Sequence, residues 1–353
     1  MFTSALRYSY INSKVRALRT TLLSSSQFEV LAKADHYNDF LEKLRLTPYS
    51  PYIDNHHSMR EHDGSVDCLI PHFYEYLFET YEKVLAALKG AERDLVLSLY
   101  SKYELENIKI LLHAKHSHTS ASLSFPIPRN IHCTLENLID ADNLQEMIDL
   151  LRNTPYHRPL DLAFYRFKEE KILFPLERAL DIDYYHRVWN KILSLGLHDR
   201  GIARTLIGIE LDAINLLWIA RFRFDFNFLP EQILNYTLMH GYLFELKDRK
   251  NMAYCNSFEE MIHAISALPY KTRLMDARNP EQVYARMLQY KKDLGVKYWH
   301  STPFHIGTIL YYLFMKEMEV RDLVALAEVK KYRLPMDLYE QYTVHGFERT
   351  YLS

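Results

Sequence analysis

Seventeen histidines and three recurring acidic pairs are the residues of this sequence that could do chemistry. His113, His116 and His118 stand close together, and His113 and His116 share a helix face at i, i+3. Imidazoles so placed could ligate a metal, but a zinc site needs three or four ligands held by a second shell of hydrogen bonds. No cysteine or acidic residue stands at the usual spacing, so they read as surface histidines on a polar helix end near Lys115. The acidic pairs are Glu104 with Glu106, Glu210 with Asp212, and Glu317 with Glu319. Residues two apart on a helix do not share a face, so no pair is a natural acid–base couple. Glu106 can instead pair with Lys109, and Glu317 with Arg321, at a few tenths of a kcal/mol each.

His62 and Asp63 form the dipeptide used by metal-dependent phosphohydrolases, with His56 and His57 nearby. That chemistry needs further histidines and an aspartate converging from separate helices. An α-helical metal-dependent phosphohydrolase built on clustered histidines is therefore the alternative reading; the simpler one is a solvated loop. No His-Glu-x-x-His, Gly-x-x-x-x-Gly-Lys-Ser/Thr or Gly-x-Ser-x-Gly occurs, which leaves zincin, P-loop and serine-hydrolase chemistry unsupported. No catalytic, cofactor-binding or metal-binding residue is assigned.

The elements that carry these residues repeat. Leu-Arg-Leu-Thr-Pro-Tyr at 44–49, Leu-Arg-Asn-Thr-Pro-Tyr at 151–156 and Ile-Ser-Ala-Leu-Pro-Tyr at 265–270 end similar stretches, with Pro48, Pro155 and Pro269 spaced 107 and 114 residues apart. Ahead of each lies an i, i+3, i+4, i+7 apolar set: Tyr37, Phe40, Leu41, Leu44; Leu144, Met147, Ile148, Leu151; Phe258, Met261, Ile262, Ile265. That spacing predicts a helix with one buried face. His36, Asn143 and Ser257 precede the sets, and the last two are good N-caps. Each proline is expected to close its helix, and each following tyrosine to pack its ring with the hydroxyl in water. An extended connector should follow, then longer helices bearing the acidic pairs. A short helix after Pro126, Pro230 or Pro335 completes the unit. The polar, His-rich stretch Tyr49–Asp67 is expected to be the most mobile. Phe222–Phe228 alternates strictly, which fits a helix running into an extended connector better than a lone strand. Lys247–Lys250 reads as a solvated helix end.

Three repeats over 353 residues predict an all-α protein of three similar helical domains, at 1–131, 132–235 and 236–353. Composition agrees, because nine glycines are few and helix formers are abundant. The 43 basic and 45 acidic residues balance, which argues against nucleic-acid binding. Cys68, Cys133 and Cys255 form neither a disulfide framework nor a zinc pattern, as expected in a reducing cytosol. The opening residues lack a signal-peptide layout. The longest apolar run, 306–315, has about half the roughly 20 residues needed to span a bilayer.

The opening Tyr8-Ser-Tyr-Ile-Asn-Ser-Lys-Val-Arg-Ala-Leu-Arg-Thr-Thr-Leu-Leu, the Glu-Leu-Glu-Asn-Ile-Lys block at 104–109 and Lys316-Glu-Met-Glu-Val-Arg-Asp resemble one family. Its members are the C-type rotor subunits of archaeal and bacterial V/A-type ATPases, homologous to the d-type subunits of eukaryotic V-ATPases. The likeness runs from Tyr8 to about Tyr342, with Leu268 and Tyr332 as departures from the family pattern. It implies a funnel of three helical domains with no catalytic role and no small-molecule substrate. Such a funnel sits on the membrane's proteolipid rotor ring, receives the central stalk and passes torque during rotary proton or sodium transport. It would lie at the cytoplasmic face, peripheral to the membrane and attached through the ring. On that reading Glu104, Glu210, Glu317, Glu319 and Arg321 are the side chains expected to meet a partner through charge complementarity.

Overall fold

The structure, a computed structural model, describes residues 2–54, 66–119, 125–126, 132–133, 135–265 and 267–344. Every regular element among them is helical, so the chain is all-α. The first helices are α1 (Phe2–Arg19), α2 (Ser25–Ala32), α3 (Tyr37–Leu44), α4 (Ser50–Asp54) and α5 (Val66–Leu85). There follow α6 (Gly90–Tyr100), α7 (Lys102–Ser117), α8 (Leu135–Asp140), α9 (Leu144–Leu150), α10 (His157–Glu170) and α11 (Phe174–Leu193). The chain continues through α12 (Leu197–Ala220), α13 (Pro230–Asn235), α14 (Leu246–Ala253), α15 (Phe258–His263) and α16 (Leu268–Leu274). It closes with α17 (Pro280–His300), α18 (Gly307–Tyr332) and α19 (Met336–Tyr342).

Two compact units divide these helices: Met1–Glu92 with Ser194–Ser353, and Arg93–Leu193. In the first, α12 lies along α17, α17 along α18, and α18 along α5, so the end of the chain packs into its beginning. In the second, α10 pairs with α11, and α7 packs against α8, α9 and α11.

The short amphipathic helices form where the apolar spacing places them. Leu144, Met147, Ile148 and Leu151 are all buried, as are Tyr37, Phe40 and Leu44, and Met261, Ile262 and Ile265. All three helices are capped. Asn143 Oδ1 accepts from the Glu146 amide at 3.0 Å, and Ser257 Oγ from that of Glu260 at 3.1 Å. His36 does the same through Nδ1, from the Asp39 amide at 3.1 Å. A carboxylate in the first turn of each helix returns a bond to the backbone just ahead of the cap: Asp39 to Asp35, Glu146 to Asp142, Glu260 to Asn256.

The prolines act differently from expectation. α3, α9 and α15 end several residues before them, and the prolines belong to the turn that opens the next helix. Pro269 sits in the first turn of α16, where its missing N–H costs nothing. The expected extended connector is therefore helix: α4, α10 and α16. Thr47 and Thr154 shape the turn, each hydroxyl donating to a leucine carbonyl and accepting from the tyrosine amide at 3.2 Å. Where Leu268 replaces threonine, the Tyr270 amide bonds the Ala267 carbonyl at 3.0 Å instead.

Two other segments also differ. Arg221–Asp225 is a π-helical turn, and Asn227 takes a left-handed φ of 55°. Phe222 and Phe228 then stack 5.5 Å apart, so the alternation makes a tight turn and no extended connector. Arg249, expected in a solvated run, is buried and donates to Thr237 Oγ1 at 3.2 Å and to the Leu238 carbonyl.

Candidate functional site

Each Pro-Tyr tyrosine ends on a carboxylate of a long helix. Tyr156 donates to Glu104 Oε2 at 2.6 Å, Tyr270 to Asp212 Oδ2 at 2.7 Å, and Tyr49 to Glu319 Oε1 at 2.7 Å. All three tyrosines are fully buried, and the carboxylates are at most 2% exposed. The hydroxyls expected in water are thus spent inside the protein.

The same carboxylates collect amides from the turn that enters a short helix. Glu104 accepts from His132 and Cys133 at 2.9 and 3.0 Å, ahead of α8. Asp212 accepts from Tyr242 and Leu243 at 3.0 and 2.8 Å, ahead of α14. Glu319 accepts from Leu23 at 2.5 Å, ahead of α2. Three residues further along each long helix, a second polar side chain holds nearby backbone. Asn107 donates to the Phe125 carbonyl at 3.2 Å, and Asn215 exchanges two bonds with Leu238 at 3.1 and 2.7 Å. Asp322 accepts from the Val344 amide at 3.0 Å. Each knot therefore ties a long helix, a loop and a tyrosine turn together. The one at Glu319 joins the two ends of the chain.

Burial, reinforced by the carboxylate charge, pushes the hydroxyls of Tyr49, Tyr156 and Tyr270 far above their ordinary range, so they stay protonated donors. Burial pushes Asp212 up to about 6, against the pull of the Leu243 and Tyr242 amides and the Tyr270 hydroxyl. Gly241 permits this packing, because a methyl group there would stand 1.9 Å from Asp212 Oδ1. The Glu319 knot holds a fully buried cation as well. Lys316 Nζ lies 2.7 Å from Glu319 Oε1, 3.1 Å from the Tyr49 hydroxyl and 3.4 Å from the Tyr76 ring centre. Burial lowers its pKa and the Glu319 charge opposes that.

Of the side chains expected to meet a partner, Glu104 and Glu319 are interior and committed to these knots. Glu210 is partly exposed and bonds Lys291 at 2.5 Å. Glu317, also half-buried, accepts from Tyr81 at 2.5 Å, while Arg321 donates to the Tyr342 carbonyl at 2.9 Å. Glu106 does pair with Lys109, at 3.0 Å. His113 bonds Glu177 at 2.9 Å, and His118 caps α7 in a left-handed conformation. Among the described residues no three His, Cys, Asp or Glu side chains gather as a metal site. His56, His57, His62 and Asp63 lie outside the described residues.

Sequence reasoning missed Asp212 as the counterpart of Glu104, and missed Lys316 as a buried charge. A signal was present. Asn107, Asn215 and Asp322 recur at intervals of 108 and 107 residues, and aligning on them pairs Glu104 with Asp212 and Glu319.

These knots hold helices, loops and tyrosine turns together through buried hydrogen bonds. The family model of the ATP synthase (C/AC39) subunit matches residues 11–342. The A-type ATP synthase C subunit of Methanosphaera stadtmanae is 24% identical over 336 residues, covering 92% of this chain and 84% of that protein. Its counterpart in Methanothermobacter thermautotrophicus is 25% identical over 335 residues, with the same two coverages. That of Haloferax volcanii is 23% identical over 349 residues, covering 94% and 95%. The chain belongs to the ATP synthase (C/AC39) subunit family, as its sequence blocks implied. No helix among the described residues is long and apolar enough to cross a membrane. Nothing in these comparisons supports the phosphohydrolase alternative.

Proposed function

We propose that this chain is the non-catalytic central-rotor adaptor of a V/A-type ATPase, coupling the central stalk to the membrane proteolipid ring during ion transport. The observation that carries the reading is the family match along residues 11–342, whose relatives are A-type ATP synthase C subunits. The three tyrosine–carboxylate knots support it, because a part that transmits torque needs helices fixed to their loops by buried bonds. On this reading the chain comprises three quasi-equivalent helical modules forming a funnel that receives the stalk, each closed around one knot. The first takes α18 from the far end of the chain, so its boundary differs from a simple division into thirds. Glu210, Glu317 and Arg321, which keep partial exposure, are the side chains assigned to the stalk contact. The protein works at the cytoplasmic face, held to the membrane through the ring.

Affinity capture of the tagged chain from mildly solubilised membranes tests this. Recovery of central-stalk and proteolipid subunits is expected. Recovery of neither, or stoichiometric metal with phosphoester hydrolysis by the purified chain, would sink the reading.

A further inference from the structure

The first 28 residues contain no aspartate or glutamate, although a quarter of the whole chain is charged. Their basic residues are Arg7, Lys14, Arg16 and Arg19, and Arg7 is matched by Glu92 at 2.8 Å. Arg16 and Arg19 are exposed, one turn apart at the end of α1. Their guanidinium carbons lie 5.0 and 4.4 Å from the centre of the same ring, the buried indole of Trp299. Arg16 also donates to the Trp299 carbonyl at 3.2 Å. The last turn of α17, which carries that tryptophan, adds Lys297 and His300, both exposed.

Helix-end carbonyls draw cations, and this explains part of the cluster. It does not explain two guanidinium groups gathered on one ring with no carboxylate beside either among the described residues. A guanidinium stacked on an aromatic face keeps its edge N–H groups free for an oxyanion.

We infer that the corner where Arg16 and Arg19 stack on Trp299, at the helix end that also carries Lys297 and His300, is a contact for the phosphate headgroups of an anionic membrane. The inference rests on the reading that the chain works at a membrane face, and it adds a direct lipid contact to attachment through the ring. Attraction near an anionic surface is worth roughly a fivefold change in partition per arginine.

The test is sedimentation of the purified full chain with phosphatidylglycerol-containing vesicles and with pure phosphatidylcholine vesicles. Binding to the anionic vesicles alone, weakened by salt, is expected, with roughly a 20- to 30-fold loss in R16Q/R19Q. R16K/R19K keeps the charge and is expected to stay within about threefold of the parent, which a purely structural stack would not allow. Equal binding to both vesicles, binding to neither, or insensitivity of the parent to salt overturns the proposal. So does displacement by inorganic phosphate at constant ionic strength, which would assign the corner to a free anion. Capture of stalk and ring subunits is read separately, so either claim can fail alone.

Discussion

A tyrosine hydroxyl 2.6–2.7 Å from a carboxylate, with both groups out of water, is worth most for what its loss would expose. Tyr49→Phe, Tyr156→Phe and Tyr270→Phe each leave a buried carboxylate short of one donor while the ring still fills its space. Each is expected to cost about 1–3 kcal/mol, read as a lower urea midpoint; an unchanged midpoint in all three would show the knots carry no stability. Asp212 adds a pH dependence of known sign. Its folded-state pKa, about 6, lies above the ordinary carboxylate value, so the folded protein binds this proton more tightly than the unfolded chain does. The resulting stability is complete below about pH 4 and is lost as pH rises through about 6. Relative to Asp212→Asn, the parent should therefore lose up to about 3 kcal/mol between those limits. A gap between the two proteins that stays constant from pH 4 to pH 7 contradicts this.

At the scale of elements, the knots decide where loops join helices. The turn 241–243 is held on α12 because Gly241 lets its backbone reach the Asp212 carboxylate. Gly241→Ala forces that carboxylate away from two amides and a hydroxyl. A loss of several kcal/mol is expected, with faster hydrogen exchange confined to 237–246; a variant as stable as the parent would show that the close approach is not needed. Much of this level was legible in the sequence. The three amphipathic helices follow from apolar spacing and the Asn143 and Ser257 caps from residue type, since a helix face and an N-cap are local properties, whereas the His36 cap emerged only in the structure. The destination of each tyrosine was not legible, because Tyr49 and Glu319 are 270 residues apart and no local pattern links them. The long helices also hid their register. α18 is buried on nearly every side, so its apolar positions show no stripe against which Glu319 could be told from Glu317.

For the whole molecule, family membership carries the proposed function, and on that proposal the knots would supply the stiffness a connector needs. The chain closes on itself through Glu319, Tyr49 and Leu23, which fastens its first helices to its last long one. The sequence blocks indicated the family through their order and spacing, while the closure emerged only when the two ends were seen to share a carboxylate. The most direct test is ATP-driven ion transport in membrane vesicles from cells lacking this chain, measured beside ATP hydrolysis by the soluble head. Hydrolysis should persist while transport falls to background, and adding back the purified chain should restore transport. Transport that continues at the parental rate without the chain would contradict the adaptor role.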